Sequence, residues 1–287
     1  MKRKELVQLA ATVLQRLDAI LPPLAQEPDW TAIAYRWHRL GNKGVLESLP
    51  HPHTFDLNCL AAVDEQRKQL VRNTEQFLAG RSANNVLMTG ARGTGKSSLV
   101  KALLHQYASK GLRLVEVDKN DLLTLPALLN ILKQRPEKFI LFCDDLSFED
   151  GDEAYKALKT TLDGGLSQRC DNVLVYATSN RRHLMPEYMA DNMAQTSQGG
   201  EVHPQEAVEE KVSLSDRFGL WLSFYPFDQN AYLQAVENWL AEAGLQLDDT
   251  ARRAALNWSQ SRGSRSGRVA WQFVCDWAGR KPEERTL

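Results

Sequence analysis

No CxxC pair occurs in this chain, whose four cysteines, Cys59, Cys143, Cys170 and Cys275, are widely dispersed. Their scatter argues against a zinc module, a redox dithiol and a secreted disulfide framework, and suits a reducing compartment. Long apolar runs are missing as well. The basic opening MKRKELVQLA is followed by Gln15 and Asp18 and already contains Glu5 and Gln8, so no signal-peptide stretch forms. Nothing later reaches the ~18 uncharged apolar residues of a membrane span. A cytoplasmic protein without membrane insertion is the expectation. Charge of one sign is absent too: 35 Lys and Arg oppose 36 Asp and Glu, a net charge of -1. Any polyanion site must therefore be local. What remains is ordinary, 287 residues with 43% apolar and 25% charged side chains, enough for one large or two modest folded domains.

Apolar residues at Leu6, Ala10, Val13, Leu17 and Ile20 repeat at helical spacing until Pro22-Pro23. A second helical stretch is drawn over Trp30–Leu40, its aromatics Trp30, Tyr35 and Trp37 packed on the core or, beside Arg36 and Arg39, forming a nucleic-acid stacking surface; the Pro/His/Gly-rich run 41–54 reads as a linker in which His51 and His53 lack companions for a metal. A helix follows at Glu65–Leu78. Short apolar runs then alternate with helical patterns, giving strands at Asn85–Met88, Leu112–Val117, Phe139–Cys143, Val173–Ala177 and Leu220–Phe224. Strands so continuously apolar belong to a parallel sheet covered on both faces. After Pro226 only helices can be drawn, at Ala231–Ala243, Thr250–Ser261 and Gly267–Ala278, with Gly244 ending the first.

Gly90-Ala91-Arg92-Gly93-Thr94-Gly95-Lys96-Ser97 fits the pattern G-x-x-x-x-G-K-[ST] between an apolar strand and the helical run that begins Ser97-Ser98. Glycines let the chain wrap so that backbone N–H groups and a helix N-terminus face phosphates. Lys96 then neutralises β/γ oxygens and Ser97 reaches Mg²⁺. Residues Gly90 to Ser98 are thus the candidate nucleotide loop. The strand Phe139–Cys143 runs into Asp144-Asp145, a layout in which Asp144 serves Mg²⁺ and Asp145, or Glu149 in its place, polarises the attacking water. Val173–Ala177 leads to Thr178-Ser179-Asn180, and Asn180 can hold that water or the γ-phosphate.

A phosphate loop, an acidic strand end and a polar strand end in this order resemble the AAA+ ATPases. That resemblance implies an α/β P-loop core with a five-stranded parallel sheet, an N-terminal helical region and a small C-terminal helical lid, divided at 1–54, 55–227 and 228–287. It implies further that Arg217, in Ser213–Gly219, is an arginine finger, and that Arg268, or its neighbour Arg265, is the lid arginine that contacts nucleotide. It puts Leu60–Gln66 near the adenine. The segments RNTEQFLAGRSANNVLMTGARGTGKSSLVKALL, KFILFCDDLSFEDGDEAYKALKTTLDGG, NVLVYATSNRRHL and SLSDRFGLWLSF resemble, more narrowly, a bacterial family of AAA+ ATPases known only as a domain of unknown function, over about residues 55–280.

The resemblance implies Mg²⁺-dependent turnover of ATP to ADP, a homo-oligomer and a ring as one form of it. Two classes of role stay open: a remodelling or loading ATPase acting on a macromolecule, and a nucleotide-dependent switch read by a partner protein. The connection Val117–Asp121 lacks the aromatic-apolar-glycine loop of a polypeptide-threading unfoldase. Nucleic acid is less favoured than a protein partner, since the basic cluster Arg262, Arg265 and Arg268 already carries a nucleotide role. Residues 187–216 hold seven acidic residues against one lysine, the composition of a solvated loop or of a docking surface for a basic partner.

Overall fold

Among the described residues seven strands, two more than expected, build the sheet. The computed structural model describes residues 27–41, 43–149, 152–163, 170–181 and 214–285, with Thr12, Val13 and Leu184. Most of the expected N-terminal helix and of the acidic stretch 187–216 lies outside the described residues. In chain order the strands are β1 (Ala34–Leu40), β2 (Lys43–Leu49), β3 (Val86–Gly90), β4 (Leu112–Val117), β5 (Lys138–Cys143), β6 (Val173–Ser179) and β7 (Leu220–Phe224). The helices are α1 (Asp64–Leu78), α2 (Lys96–Tyr107), α3 (Leu125–Leu132), α4 (Glu153–Asp163), α5 (Gln229–Glu242), α6 (Asp249–Ser261) and α7 (Gly267–Gly279). The sheet order is β2-β1-β4-β5-β6-β3-β7, and every pair is parallel except β1 with β2.

The five expected strands are β3 to β7. The helix expected over Trp30–Leu40 and the linker expected over 41–54 are replaced by the antiparallel hairpin β1–β2, which joins the parallel sheet alongside β4. Its physical cause is the pair Tyr35 and Trp37. Spaced by two, they turn to the same face of a strand, not of a helix, and both are fully buried in the core beneath that face. Trp37 Nε1 also donates to Thr124 Oγ1 at 2.8 Å.

Helices cover both faces, as near-continuous apolar strands require. On one side α1 and α2 bring Leu70, Phe77, Leu99, Leu103 and Tyr107 onto Met88, Ile140 and Tyr176. On the other, α3 and α4 bring Leu125, Leu128, Tyr155 and Leu158 onto Leu87, Leu141 and Val175. Helices α5 to α7 have a core of their own around Tyr232, Val236, Leu240 and Phe273, into which the loop before α1 inserts Cys59 and Ala61. Each begins on a side-chain cap: Asp228 for α5, Asp248 for α6 and Ser266 for α7. Gly244, at φ +72°, follows α5 as expected.

This topology creates a crevice. The chain leaving β3 returns on β4, beyond β6 and β5, whereas the chain leaving β6 crosses to β7 on the other side of β3. Connections that part in opposite directions leave an open space at the carboxyl ends of the strands, where α/β proteins place their ligands.

Candidate active site

The loop from Gly90 to Gly95 rises from β3 into that crevice and ends at the first residue of α2. Gly90 has φ +135°, and a Cβ there would sit 1.9 Å from the Phe224 carbonyl oxygen of β7, so no side chain fits. Lys96, only 6% exposed, folds back over the loop. Its Nζ donates to the Gly90 and Ala91 carbonyls at 2.7 and 2.8 Å and to Asn180 Oδ1 at 3.0 Å. Burial pulls its ammonium below the usual lysine value, opposed by the nearby carboxylates of Asp144 and Asp145.

The acidic pair is held by the neighbouring strand. Thr178, near the end of β6, donates to Asp144 Oδ1 at 2.5 Å and accepts from the Asp145 N–H at 2.8 Å, while its carbonyl accepts from Leu146 N at 2.7 Å. Ser97 Oγ donates to the same Asp144 oxygen at 2.6 Å. Asp145 sits at φ +52°, a left-handed conformation that costs energy in a non-glycine residue and that the Thr178 contacts hold. Its Oδ1 accepts from Asn180 Nδ2, and Arg92 lies 3.8 Å from its Oδ2. Ser97 and Asp144 form a set of hard oxygen donors beside the phosphate loop, which suits Mg²⁺.

A cavity of about 590 Å³ opens over these groups. Of the residues expected from sequence, Arg92 to Ser98, Asp144, Asp145, Asn180 and Arg268 all line it. Glu149, Arg265 and Arg217 do not line it, and of Leu60–Gln66 only Leu60 and Ala61 do. Arg217 stands instead just before β7, with its Nε donating to Asp163 at the end of α4. The cavity also has aromatic lining, from Phe55, Phe227, Trp239 and Trp271. Trp239 meets Trp271 with ring centroids 4.7 Å apart and Phe55 at 5.9 Å. Sequence reasoning missed this wall, and missed Thr178. The polar strand end that singled out Asn180 was the available signal for Thr178; the aromatics come from three distant stretches and share no motif.

The helical body meets the phosphate loop at its first amide. Gly267 N, at the start of α7, donates to the Gly93 carbonyl at 2.8 Å, and Ser266 packs so closely that a Cβ on Gly93 would lie 2.9 Å from its Oγ. Arg268, the next residue, lines the same cavity as Asp144.

No curated protein matches the chain. Among solved structures, Aeropyrum pernix ORC1 in complex with DNA is 13% identical with a TM-score of 0.54, the match covering 76% of this chain and 60% of that one. A point mutant of Thermotoga maritima RuvB is 14% identical with a TM-score of 0.51, covering 77% and 64%. The Thermotoga maritima RuvB Holliday junction branch migration motor is 15% identical with a TM-score of 0.48, covering 77% and 63%. This chain thus spans less than two thirds of the length of each. No helix among the described residues is long and apolar enough to cross a membrane. The family model described as Protein of unknown function (DUF815) matches residues 30–281. The chain belongs to that family, and its sheet and helices have the AAA+ fold.

Proposed function

We propose that this chain binds ATP with Mg²⁺ in the cavity, hydrolyses it to ADP, and uses the turnover to remodel or load a macromolecular partner. The observation that carries this reading is the convergence of Lys96, Ser97, Asp144, Asp145 and Asn180 on one cavity at the head of α2. Backbone N–H groups of the loop and the α2 N-terminus hold the phosphates. Lys96 exchanges the Gly90 and Ala91 carbonyls and Asn180 Oδ1 for β/γ oxygens, which frees the Asn180 side-chain oxygen to orient the attacking water. Asp145 accepts that water's proton. Ser97 and Asp144 would hold Mg²⁺, which when bound neutralises charge on the transferring phosphoryl group. Arg268 reaches the nucleotide from the lid, and Arg217, remote from its own cavity, serves the site of a neighbouring subunit in a homo-oligomer. The working division is a core to residue 227, enlarged by the β1–β2 hairpin, and a lid at 228–287. A cytoplasmic setting and a protein partner complete the proposal.

One feature favours the second reading, a nucleotide-dependent switch. Both Asp145 oxygens already face partners, Asn180 and Arg92, so a catalytic base must first be released. The two readings separate by experiment. A Lys96→Ala protein should lose ATP binding by calorimetry, and Asp145→Asn should bind Mg-ATP but turn it over slowly. Mixing Arg217→Ala with Lys96→Ala subunits should restore turnover that neither shows alone. Unchanged ATP affinity in folded Lys96→Ala would reject the site. A partner that Asp145→Asn captures only with ATP favours remodelling; a stable partner that follows nucleotide state without raising turnover favours the switch.

A further inference from the structure

The strand β2 ends the sheet, and its inner side is fully engaged. Two residues, Gly41 and Asn42, connect it to β1, with Leu40 opposite Lys43, His38 opposite Val45 and Arg36 opposite Glu47. In a two-residue hairpin the flanking residues exchange both backbone hydrogen bonds, and bonded pairs alternate from there. Lys43, Val45, Glu47 and Leu49 therefore direct their N–H and C=O groups to β1. The far side of β1 has the complementary phase, since Ile33 O accepts from Leu114 N and Arg39 N donates to Asp121. Gly44, Leu46 and Ser48 consequently turn their backbone polar groups outward, and among the described residues no strand pairs with them.

This edge matches itself. Lys43 and Glu47 are exposed and stand two residues to either side of Val45. Antiparallel apposition of two β2 strands about a two-fold axis through Val45 places Gly44 opposite Leu46 of the second copy, where the outward N–H and C=O groups meet. The same register places Lys43 opposite Glu47 of the second copy, twice. These are the non-hydrogen-bonded positions, whose side chains approach most closely. Edge strands are often guarded by lysines that repel another copy; here opposite signs flank the centre and attract one. Beside the edge, Leu123, 41% exposed, and Ile131, 37% exposed, belong to the turn after β4 and to α3, both of which pack against β2.

We propose that β2 is a homodimer interface, joining two copies edge to edge and antiparallel about Val45 into one continuous sheet, with Leu123 and Ile131 of both copies covered beside the axis. Sedimentation equilibrium on nucleotide-free wild type, with Lys96→Ala in parallel to separate nucleotide-driven assembly, should show a dimer in both. Glu47→Lys and Lys43→Glu should each weaken it at least about tenfold by setting like charges opposite each other. The double variant Lys43→Glu/Glu47→Lys should restore it. Both positions are exposed, and far-UV circular dichroism with a melting curve checks that the fold persists. In a Cys275→Ser background, Val45→Cys should oxidise to a covalent dimer. The proposal is overturned by a monomer at every concentration, by a dimer that neither single reversal weakens, or by failure of the double variant to recover it.

Discussion

Thr178→Val tests whether one hydroxyl holds the acidic pair. Valine keeps the branched shape and suits strand β6, so what is lost is polar. Asp144 loses a donor at 2.5 Å, and the Asp145 N–H loses its acceptor at 2.8 Å. Asp144 and Asp145 are exposed, so water replaces part of each loss, and the two bonds together sum to about 2 kcal/mol. The left-handed Asp145 backbone loses a restraint at the same time. For a chain of this size 1 kcal/mol moves the melting temperature by about 2–4 °C, which gives a fall of about 4–8 °C. Calorimetric melting reads that shift, and Thr178→Ser, which keeps the hydroxyl, should return most of it. ATP titration should also show weakened Mg²⁺ dependence in the valine variant. A Thr178→Val protein that melts with wild type and binds Mg-ATP unchanged would refute the role given to this hydroxyl.

Gly93→Ala places a Cβ within 3.0 Å of Ser266 in a residue at φ +75°, so the α7 terminus must shift away; calorimetry should register at least about tenfold weaker ATP binding. Trp271→Ala removes half of the closest aromatic pair in the cavity and should raise the dissociation constant of a fluorescent ATP analogue about fivefold or more, while leaving the melting temperature nearly unchanged. Lys96→Met should abolish ATP binding without destabilising the empty protein, because the lysine is held in a desolvated place. Its lowered pKa means that the unfolded chain binds the proton more readily. Wild-type stability relative to Lys96→Met should therefore rise as pH climbs through the lowered value toward 10.5; urea midpoints compared at rising pH check the sign.

Contiguity decided what could be read in the sequence. The phosphate loop is a single run, and the Asp144-Asp145 and Asn180 strand ends follow apolar stretches whose burial is nearly complete. The hairpin was hidden because alternation in β1 is irregular: Ala34, Tyr35 and Trp37 are all buried, with Arg36 exposed between them. A strand facing a core on both sides loses its period of two and admits a helical reading. The signal that could have found it was the Gly-Asn dipeptide at 41–42 between β-prone segments, a sequence that favours hairpins, and Gly41 stands at φ +64°. The aromatic wall could be found only after folding, since Phe55, Trp239 and Trp271 lie far apart along the chain. The place of Arg217 just before β7 was legible, but its pairing with Asp163 depends on where α4 ends.

The amide-to-carbonyl link between Gly267 and Gly93 bears on mechanical compliance. It is one contact of the seam between two cores, and one backbone hydrogen bond of this kind nets about 1 kcal/mol, less than twice thermal energy. Such a link behaves as a latch that thermal motion can lift, and its acceptor belongs to the loop that cradles phosphate. A ligand that straightens or tightens the loop by a fraction of an ångström changes the latch directly, without any signal crossing the sheet. The inserted Cys59 and Ala61 keep the two bodies together while the latch lifts, so this part of their contact yields on the scale of one peptide group.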